Sequence, residues 1–502
     1  MSLTGSACVS NNKSILGDKM NLDEQKGNGA DIPGCVRRLS NGERLFLGSV
    51  QSNVAMAARV IENVSEKDLI RAINAARRMH PLLGAKVIFD DQHDAWFSTD
   101  NVPETILRTV LRISENQWVD EIQREHMESF ELEIGPLIRF VLVYSRPVSE
   151  LIAFSNHGIC DGVALANLIR DILVFYAEPA KDMKVIQPPL STGYLQRDKG
   201  PFPSKSIGKD AINNFNLQWR KSPHYFSQAD FSEVHRAYWE KMQHSIVLLQ
   251  LEPEETSVLV AKCREKGVTI ASATTAAFLA AYQDVIGPFP KDQDIACIPY
   301  DLRRRISENV GDAFCLFVGV STFPISYDQG KNLWENAQEI HNIIQKDAAG
   351  LNTTSPDFGL FDPTLIDACF SFAPLMQFVP EAFVSTKNLS AFANDTKNIA
   401  FMISDSRKNR VPAVINTNLG RLDFPETYGD LRLDHMFFVP PAIIFTPLIL
   451  GGIGVSGRLA FSLNYIEQVK DNGLSPTEDM IRIRNRALEY LGFPEKANDD
   501  AV

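Results

Sequence analysis

Apolar residues recur at two different spacings along this chain, and each spacing predicts a type of element. Between residues 63 and 81 the apolar positions lie three or four residues apart, which predicts an amphipathic helix. Short β-branched runs at 137–144 and 151–154 predict buried strands. The strongly apolar stretch 163–176 predicts a buried helix. A further strand is predicted at 87–89 and a further helix at 116–131.

Periodicity becomes weak in the middle of the chain, where prolines, lysines and polar residues accumulate. We predict a linker and crossover at 201–245, between an N-terminal half at 35–200 and a C-terminal half at 246–495. The polar residues 1–34 are predicted to form a flexible tail. The C-terminal half mixes predicted strands (246–251, 297–300, 317–323, 411–416, 459–463) with predicted helices (254–266, 270–286, 332–347, 476–491). The fold class is therefore α/β or α+β.

Composition narrows the range of functions. The 502 residues are 44% hydrophobic and 22% charged, with a net charge of −12, as expected of a soluble globular protein. The negative charge disfavours nucleic acids and anionic membranes as partners. The seven cysteines are widely spaced and form no Cys-x-x-Cys pair, which indicates reduced, cytoplasmic usage and no metal site.

One stretch, residues 436–457, is uncharged and long enough to span a bilayer. Prolines 440, 441 and 447 interrupt it, and glycines follow. Such a segment makes a poor helix. We therefore predict two buried strands joined by a turn and no membrane span.

The strongest chemical signal is a histidine followed four residues later by an acid and a glycine. His157, Asp161 and Gly162 lie between the predicted strand 151–154 and the predicted helix 163–176. A neutral imidazole can accept a proton near pH 7, and a carboxylate can hold the loop in place. On this motif alone, a buried histidine that only satisfies backbone groups is an equally good explanation.

Further segments give the motif a context. This chain resembles the chloramphenicol acetyltransferase-like superfamily, whose shared motif is His-x-x-x-Asp-Gly. Asn156 stands where many members have a second histidine. Other segments that resemble the superfamily's are 39–44 (the entry to its opening strand), 78–83 (Arg-x-His-Pro-x-Leu), 135–139 (Gly-Pro-Leu-x-Arg), 299–305 (which contains Pro-x-Asp-Leu-Arg) and 416–420 (the Asn-Leu-Gly tunnel strand). The plant branch's Asp-Phe-Gly-Trp-Gly is absent, so the resemblance favours the alcohol acetyltransferase and mycobacterial polyketide-associated branches.

The resemblance implies two similar halves, each a mixed sheet with flanking helices, that meet at a central tunnel. It implies that His157 is the general base, whereas Asp161 and Gly162 support the site. Arg303 or Arg44 is then the partner of Asp161, and His80 is structural. No permanently bound cofactor is implied; acyl-CoA enters as a co-substrate.

Three further assignments are open at this level. Asn418 and Thr417 are candidates for stabilising an oxyanion, although both could be ordinary strand residues. Cys160 invites interpretation as a nucleophile, but nothing in the sequence lowers its pKa. The arginines at 303–305 and the basic run 407–410 could meet coenzyme A phosphates, or could be solvated surface residues.

The sequence as a whole predicts a monomeric O-acyltransferase that moves an acyl group from acyl-CoA to a small-molecule alcohol or amine. A second hypothesis keeps His157 and takes the acyl group from an acyl carrier protein, as in polyketide or peptide biosynthesis. A third is an inactive relative that only binds a partner.

Overall fold

The computed structural model describes residues 32–496, apart from 190–207, 291–292, 294, 304–309, 325–326, 350–357, 380–385, 409–410, 445 and 470–475. Two large mixed sheets form the centre of this part of the chain, and a small sheet of β1 (Cys35–Arg38), β3 (Lys86–Phe89) and β4 (Ala95–Ser98) lies beside the first. Residues 1–31, most of the predicted tail, lie outside the described residues.

The first large sheet has the order β12-β13-β2-β7-β6-β5. Its strands are β2 (Asn53–Ile61), β5 (Leu107–Leu111), β6 (Ile138–Tyr144), β7 (Val148–Asn156), β12 (Thr427–Tyr428) and β13 (Leu431–Val439). The helices that accompany them are α1 (Asn41–Leu47), α2 (Glu66–Met79), α3 (Gln117–Met127) and α4 (Gly162–Ala177). Helix α4 packs on β2 and α2, and α3 packs on β7. β7 is buried almost throughout its length, so its end gives rigid support to the turn between β7 and α4.

The second large sheet has the order β10-β9-β11-β14-β15-β8. Its strands are β8 (Met242–Leu251), β9 (Ile295–Asp301), β10 (Val318–Pro324), β11 (Val414–Arg421), β14 (Leu448–Val455) and β15 (Arg458–Gln468). Helices α7 (Pro253–Glu265), α8 (Ile270–Val285), α9 (Leu333–Ala349) and α13 (Pro476–Leu491) accompany it, and both α9 and α13 pack on α8. The predicted α/β class with two mixed sheets and flanking helices is confirmed.

The two halves are interlocked by a strand that crosses between them. β13 follows β11 of the second sheet, yet it pairs antiparallel with β2 of the first sheet from Arg432 to Val439. The chain then returns as β14, which pairs parallel with β11. Residues 427–439 therefore belong to the first sheet, although the sequence boundaries placed them in the C-terminal half. The uncharged stretch 436–457 forms parts of β13 and β14, as predicted. Within the described ranges, no helix is long and apolar enough to cross a membrane.

Two predictions of local structure are wrong. The region predicted as a linker contains α5 (Lys209–Trp219) and α6 (Gln228–Trp239), whose Trp219 and Tyr238 are fully buried. These aromatic residues anchor both helices to the core, although about half of the residues in each helix are polar. Segment 39–44, predicted as the entry to an opening strand, instead contains the start of α1. Ser40 and Glu43 form a reciprocal capping box there, which is a helix-start signal.

Residues 358–408 add a group of short helices that were not predicted from the sequence. They are a 3₁₀ turn (Phe358–Leu360), α10 (Pro363–Ile366), a π-helical segment (Asp367–Phe372), a 3₁₀ turn (Ala373–Phe378), α11 (Lys387–Asn394) and α12 (Ile399–Lys408). The π-helical segment contacts α1. These helices therefore help to position α1, which borders the turn that carries His157.

A cluster of buried histidines predicts a loss of stability in acid. His244 Nδ1 lies 2.7 Å from His126 Nε2, and His244 Nε2 lies 3.3 Å from Asn464 Oδ1. Burial lowers the pKa of His235 and of His244 to about 4, and it lowers that of His126 as well. Below pH 6.5 these histidines therefore bind protons in the unfolded chain that they do not bind in the folded chain, so acid favours unfolding. His235 and His244 should each remove roughly 1 kcal/mol of stability per pH unit between pH 6.5 and 4, and His126 should act in the same direction.

Thermal unfolding between pH 7 and pH 4.5 tests this expectation, with His235→Gln as the comparison. The variant lacks one of the titrating groups, so its midpoint should fall less steeply with acid than that of the wild type. Parallel curves for the two proteins would contradict the expectation.

Candidate active site

His157 lies in the turn that joins β7 to α4 at the edge of the first sheet. β7 ends at Asn156, and α4 begins at Gly162. The Asn156 side chain holds the turn, because its Nδ2 donates to the Leu47 carbonyl at 3.1 Å and its Oδ1 accepts from Gly158 N at 2.9 Å. Asn156 stands where the second histidine of the motif would be. Its two hydrogen bonds tie the turn to the end of α1 and to the turn's own backbone.

The His157 ring is held in one tautomer. Its Nδ1 lies 2.6 Å from the carbonyl oxygen of Cys160. Because a carbonyl only accepts hydrogen bonds, Nδ1 carries the hydrogen and Nε2 keeps its lone pair. The residue is 8% exposed, and burial lowers its pKa, an effect that the Cys160 carbonyl and Asp161 partly oppose. The imidazole is therefore neutral at pH 7 and able to take up a proton at Nε2.

Asp161 binds groups other than His157. Its Oδ1 caps α4 by accepting from Ala164 N at 2.8 Å, and its Oδ2 accepts from Phe317 N at 2.7 Å. Arg303 contacts both oxygens, at 3.0 and 3.1 Å. This carboxylate thus joins the start of α4 to the end of β9 and to the segment before β10.

Arg44, the other partner that the sequence left open, is engaged elsewhere. Its guanidinium contacts the Asp367 carboxylate through Nε and Nη2, at distances of 2.7–3.0 Å. It thereby ties α1 to the π-helical segment. The structure therefore assigns Arg303 to Asp161.

Gly162 permits a close approach between α4 and the second half. A Cβ atom at this position would lie 2.7 Å from Phe438 Cζ on β13 and 2.9 Å from Leu419 Cδ2 on β11. A side chain here would collide with the Phe438 ring and with the end of the Leu419 side chain. The absence of a side chain at Gly162 therefore lets Phe438 and Leu419 pack against the start of α4, where both line the cavity beside His157.

A cavity of about 160 Å³ lies between the two halves, and His157 forms part of its wall. The first half contributes Phe46 and the start of α4, and the crossing strand contributes Phe438. The second half supplies most of the remaining wall: Pro299, Tyr300, Phe317, Val318, Val320, Ile415, Thr417, Asn418, Leu419 and Ile449. The wall is mainly apolar, and its charged members are Asp161, Asp301 and Arg303.

Thr417 and Asn418 both border this cavity, but their surroundings differ. Ile415 lines the cavity, whereas Asn416 points the other way and bonds Thr274 and Thr275 of α8. Because side chains alternate along a strand, Thr417 shares the cavity face with Ile415. The Asn418 side-chain oxygen accepts from Gly420 N at 2.8 Å and so braces the bulge after it. Thr417 is therefore the better placed of the two candidates.

Cys160 is buried with its thiol 3.3 Å from Ser155 Oγ. Burial is the main cause that raises the pKa of this thiol far above its usual range, so no thiolate forms near neutral pH. It does not line the cavity that contains His157. We therefore expect Cys160→Ser to retain catalytic turnover in a product assay, and Cys160 of the wild-type protein to resist alkylation by iodoacetamide. Complete loss of turnover in a folded Cys160→Ser variant would instead indicate a covalent mechanism.

Two contributors to the site were missed from the sequence. Phe46 on α1 contacts His157, with ring centroids 4.3 Å apart, and the Phe317 backbone N–H binds Asp161. The capping box at Ser40 could have revealed α1 and so the direction of Phe46. No side-chain pattern reports a backbone donor such as that of Phe317.

Other predicted elements lie away from the cavity or outside the described residues. His80 caps the C-terminal end of α2, and its Nε2 lies 3.0 Å from Asp171 Oδ2. It does not line the cavity. Arg304 and Arg305 lie outside the described residues, as do the side chains of the basic run 407–410. Among the described residues, no group of three or more His, Cys, Asp or Glu side chains could hold a metal ion.

Comparison with known proteins places this fold. Residues 240–355 match the family described as phthiocerol/phthiodiolone dimycocerosyl transferase C-terminus. No curated protein matches the sequence. The fold is similar to that of polyketide synthase associated protein 5 from Mycobacterium tuberculosis, with a TM-score of 0.57 and 14% identity over 92% of this chain and 99% of that one.

Two other solved structures share the fold at similar distance. The first condensation domain of the calcium-dependent antibiotic synthetase has a TM-score of 0.57 and 13% identity over 92% of this chain and 97% of that one. Trichothecene 15-O-acetyltransferase from Fusarium sporotrichioides has a TM-score of 0.56 and 13% identity over 91% of this chain and 95% of that one. The predicted resemblance is thus confirmed for the fold, and residues 240–355 in addition match a family model of acyl transferases.

Proposed function

We propose that this chain, which has the fold of the acyltransferase and condensation superfamily, transfers an acyl group from a thioester to the hydroxyl group of a small molecule. The observation that carries the proposal is the state of His157. Its Nδ1–H is committed to the Cys160 carbonyl, and the residue lines an apolar cavity between the two halves. A neutral imidazole in a dry cavity is suited to general base catalysis.

The reaction needs a single proton carrier. His157 Nε2 takes the proton from the acceptor hydroxyl as its oxygen attacks the thioester carbonyl. The carbon–oxygen bond forms and the carbonyl electrons move onto oxygen, which gives a tetrahedral oxyanion. When that intermediate collapses, the carbon–sulfur bond breaks and the thiolate takes the proton back from the imidazolium. The products are an ester and a thiol, and the enzyme is regenerated without a covalent intermediate.

Acyl-CoA is the proposed donor, with an acyl carrier protein as the second candidate. The second candidate rests on the likeness to a condensation domain of a peptide synthetase. A net charge of −12 disfavours it, because carrier proteins are usually acidic and like charges repel. An amine acceptor would follow the same steps and give an amide.

The test is a mass-spectrometric assay of the purified protein with acetyl-CoA, longer acyl-CoAs and a matched acyl carrier protein, against a panel of alcohols and amines. Ester formed from free acyl-CoA supports the leading proposal. Product formed only from the carrier-bound acyl group supports the second candidate. Absence of product from every donor and acceptor pair would contradict acyl transfer and favour a protein that only binds its partner.

The oxyanion must be stabilised by a donor on the cavity wall, and we propose the Thr417 hydroxyl. Removing one such donor typically lowers kcat by about 10²–10³-fold. Thr417→Val keeps the side chain's shape, so we expect kcat to fall in this range with little change in KM. Asn418→Ala is the matched comparison, and it should lower kcat less, because side chains alternate along β11 and Thr417 is on the same face as the cavity-lining Ile415. If kcat fell more in Asn418→Ala than in Thr417→Val, Asn418 would be the oxyanion donor. If kcat fell in neither variant, the donor would not lie on β11.

A further inference from the structure

A second cavity of about 170 Å³ adjoins the one that contains His157. Its apolar wall includes Leu45, Phe370, Leu375, Val411, Pro412 and Ile444. None of the described residues that line it is charged. Its polar members are neutral: Ser49, Gln51, Ser52, Ser404 and Thr446. A cavity of about 150 Å³ can hold a benzene-sized group. The second cavity is therefore large enough for several methylene groups.

The two cavities share part of their walls. Phe46, Ser52, Cys297, Ile415 and Ile443 line both of them. Phe46 has the largest side chain of the five, and its ring also lies against His157. The side chain that borders the reacting centre is therefore also the bulkiest part of the partition between the cavities.

Helix α1 holds this partition firmly. The capping box of Ser40 and Glu43 fixes its start, and Glu43 is also bound by the buried Arg37 guanidinium. Near its end, Arg44 is bound to Asp367 of the π-helical segment. Because ion pairs of Glu43 and Arg44 anchor α1, the backbone that carries the Phe46 ring is held in place.

We propose that the second cavity is the far end of an acyl-chain site and that Phe46 closes it, which sets the length of the acyl chain that the protein accepts. This inference rests on the proposed acyl transfer. The chain extends from the thioester carbonyl beside His157 along the shared wall of Cys297 and Ile415. With Phe46 in place, short chains fill the first cavity and longer chains are excluded. A smaller residue at position 46 joins the cavities.

The test compares binding of two thioethers that cannot transfer an acyl group, S-ethyl-N-acetylcysteamine and S-decyl-N-acetylcysteamine, by calorimetry. Each methylene group that enters an apolar cavity should improve affinity about fourfold. Phe46→Ala should therefore raise the preference for the decyl over the ethyl compound at least about tenfold relative to wild type. An unchanged preference in Phe46→Ala would overturn the proposal.

A filling variant provides the control. Ser404 is buried and lines only the second cavity, so Ser404→Leu added to Phe46→Ala should return the preference to the wild-type value. Ile444→Phe fills the same cavity from another side and replaces Ser404→Leu if that variant does not fold. If the filled variants kept the raised preference for the decyl compound, its alkyl chain would bind outside the second cavity and the proposal would be overturned.

Binding and turnover separate this inference from the proposed function. If wild type and variants bind the thioethers as expected but transfer no acyl group, the proposed acyl transfer is contradicted and the acyl-chain site is supported. If esters form but the ratio of decanoyl to acetyl transfer is the same in wild type and Phe46→Ala, the role of Phe46 in chain length is contradicted and the proposed acyl transfer is supported. The ratio is the right measure, since Phe46 touches His157 and its loss can slow all substrates equally.

Discussion

His157→Gln should lower acyl transfer by about 10²–10⁴-fold, the usual contribution of a general base, while leaving the fold intact. Glutamine fills a similar space and has no basic nitrogen. The loss should appear in kcat for every donor and acceptor, because the proton is removed in the same step for all of them. Circular dichroism and thermal unfolding of the variant provide the check on folding.

His80→Gln is the matched control for that variant. His80 belongs to another motif of the resemblance, and it is as deeply buried as His157. It binds Asp171 and does not line the cavity. We expect it to lower stability and to leave kcat per folded molecule nearly unchanged. Equal rates for His157→Gln and wild type would show that His157 is not the base.

The pH dependence of the rate gives independent evidence for the same residue. Burial lowers the pKa of His157, and only the neutral ring can accept a proton. The rate should therefore rise with pH, with a midpoint below 6.5, and be level at neutral pH. The residual rate of His157→Gln should lack this rise. A wild-type rate that climbs only above pH 8 would point to a different base.

The site residues that are neighbours in sequence could be predicted well. His157, Asp161 and Gly162 occupy one turn between two strongly apolar segments, so the local pattern fixes both the turn and its place at a sheet edge. The strand at 148–156 and the helix at 162–177 were recognisable for the same reason. What the sequence could not decide was which distant arginine reaches Asp161, because that choice depends on how the two halves are oriented.

Long-range pairing explains most of the other differences. β13 resembles any buried apolar strand, and nothing in its residues states that its partner is β2 more than 370 positions earlier. Its crossing brings Phe438 against Gly162 and so completes the cavity. Helices α5 and α6 were missed because about half of their residues are polar, which weakens the apolar periodicity. Local sequence patterns thus predict individual strands and helices, whereas the packing of the two halves determines which residues meet at the site.

Asp161→Ala should lower the free energy of unfolding by about 3 kcal/mol, at the low end of the range for breaking a buried ion pair. Asp161 and Arg303 have side chains that are 5% and 9% exposed, so the guanidinium would lose its main partner in a poorly solvated place. Asp301, 3.0 Å from the same guanidinium, remains as a second partner and limits the loss. Urea unfolding measures the change.

Removing the unpaired charge should recover part of that stability. In Asp161→Ala/Arg303→Met no buried cation is left without its partner, so the double variant should be more stable than Asp161→Ala alone. The exposed pair of Arg236 and Glu240 supplies the comparison, and Glu240→Ala should leave the unfolding midpoint unchanged. Activity of Asp161→Ala should fall as well, because the turn that carries His157 is then free to shift against β9. If this variant were as stable as wild type and yet inactive, Asp161 would act in the chemistry itself and not in holding the two halves together.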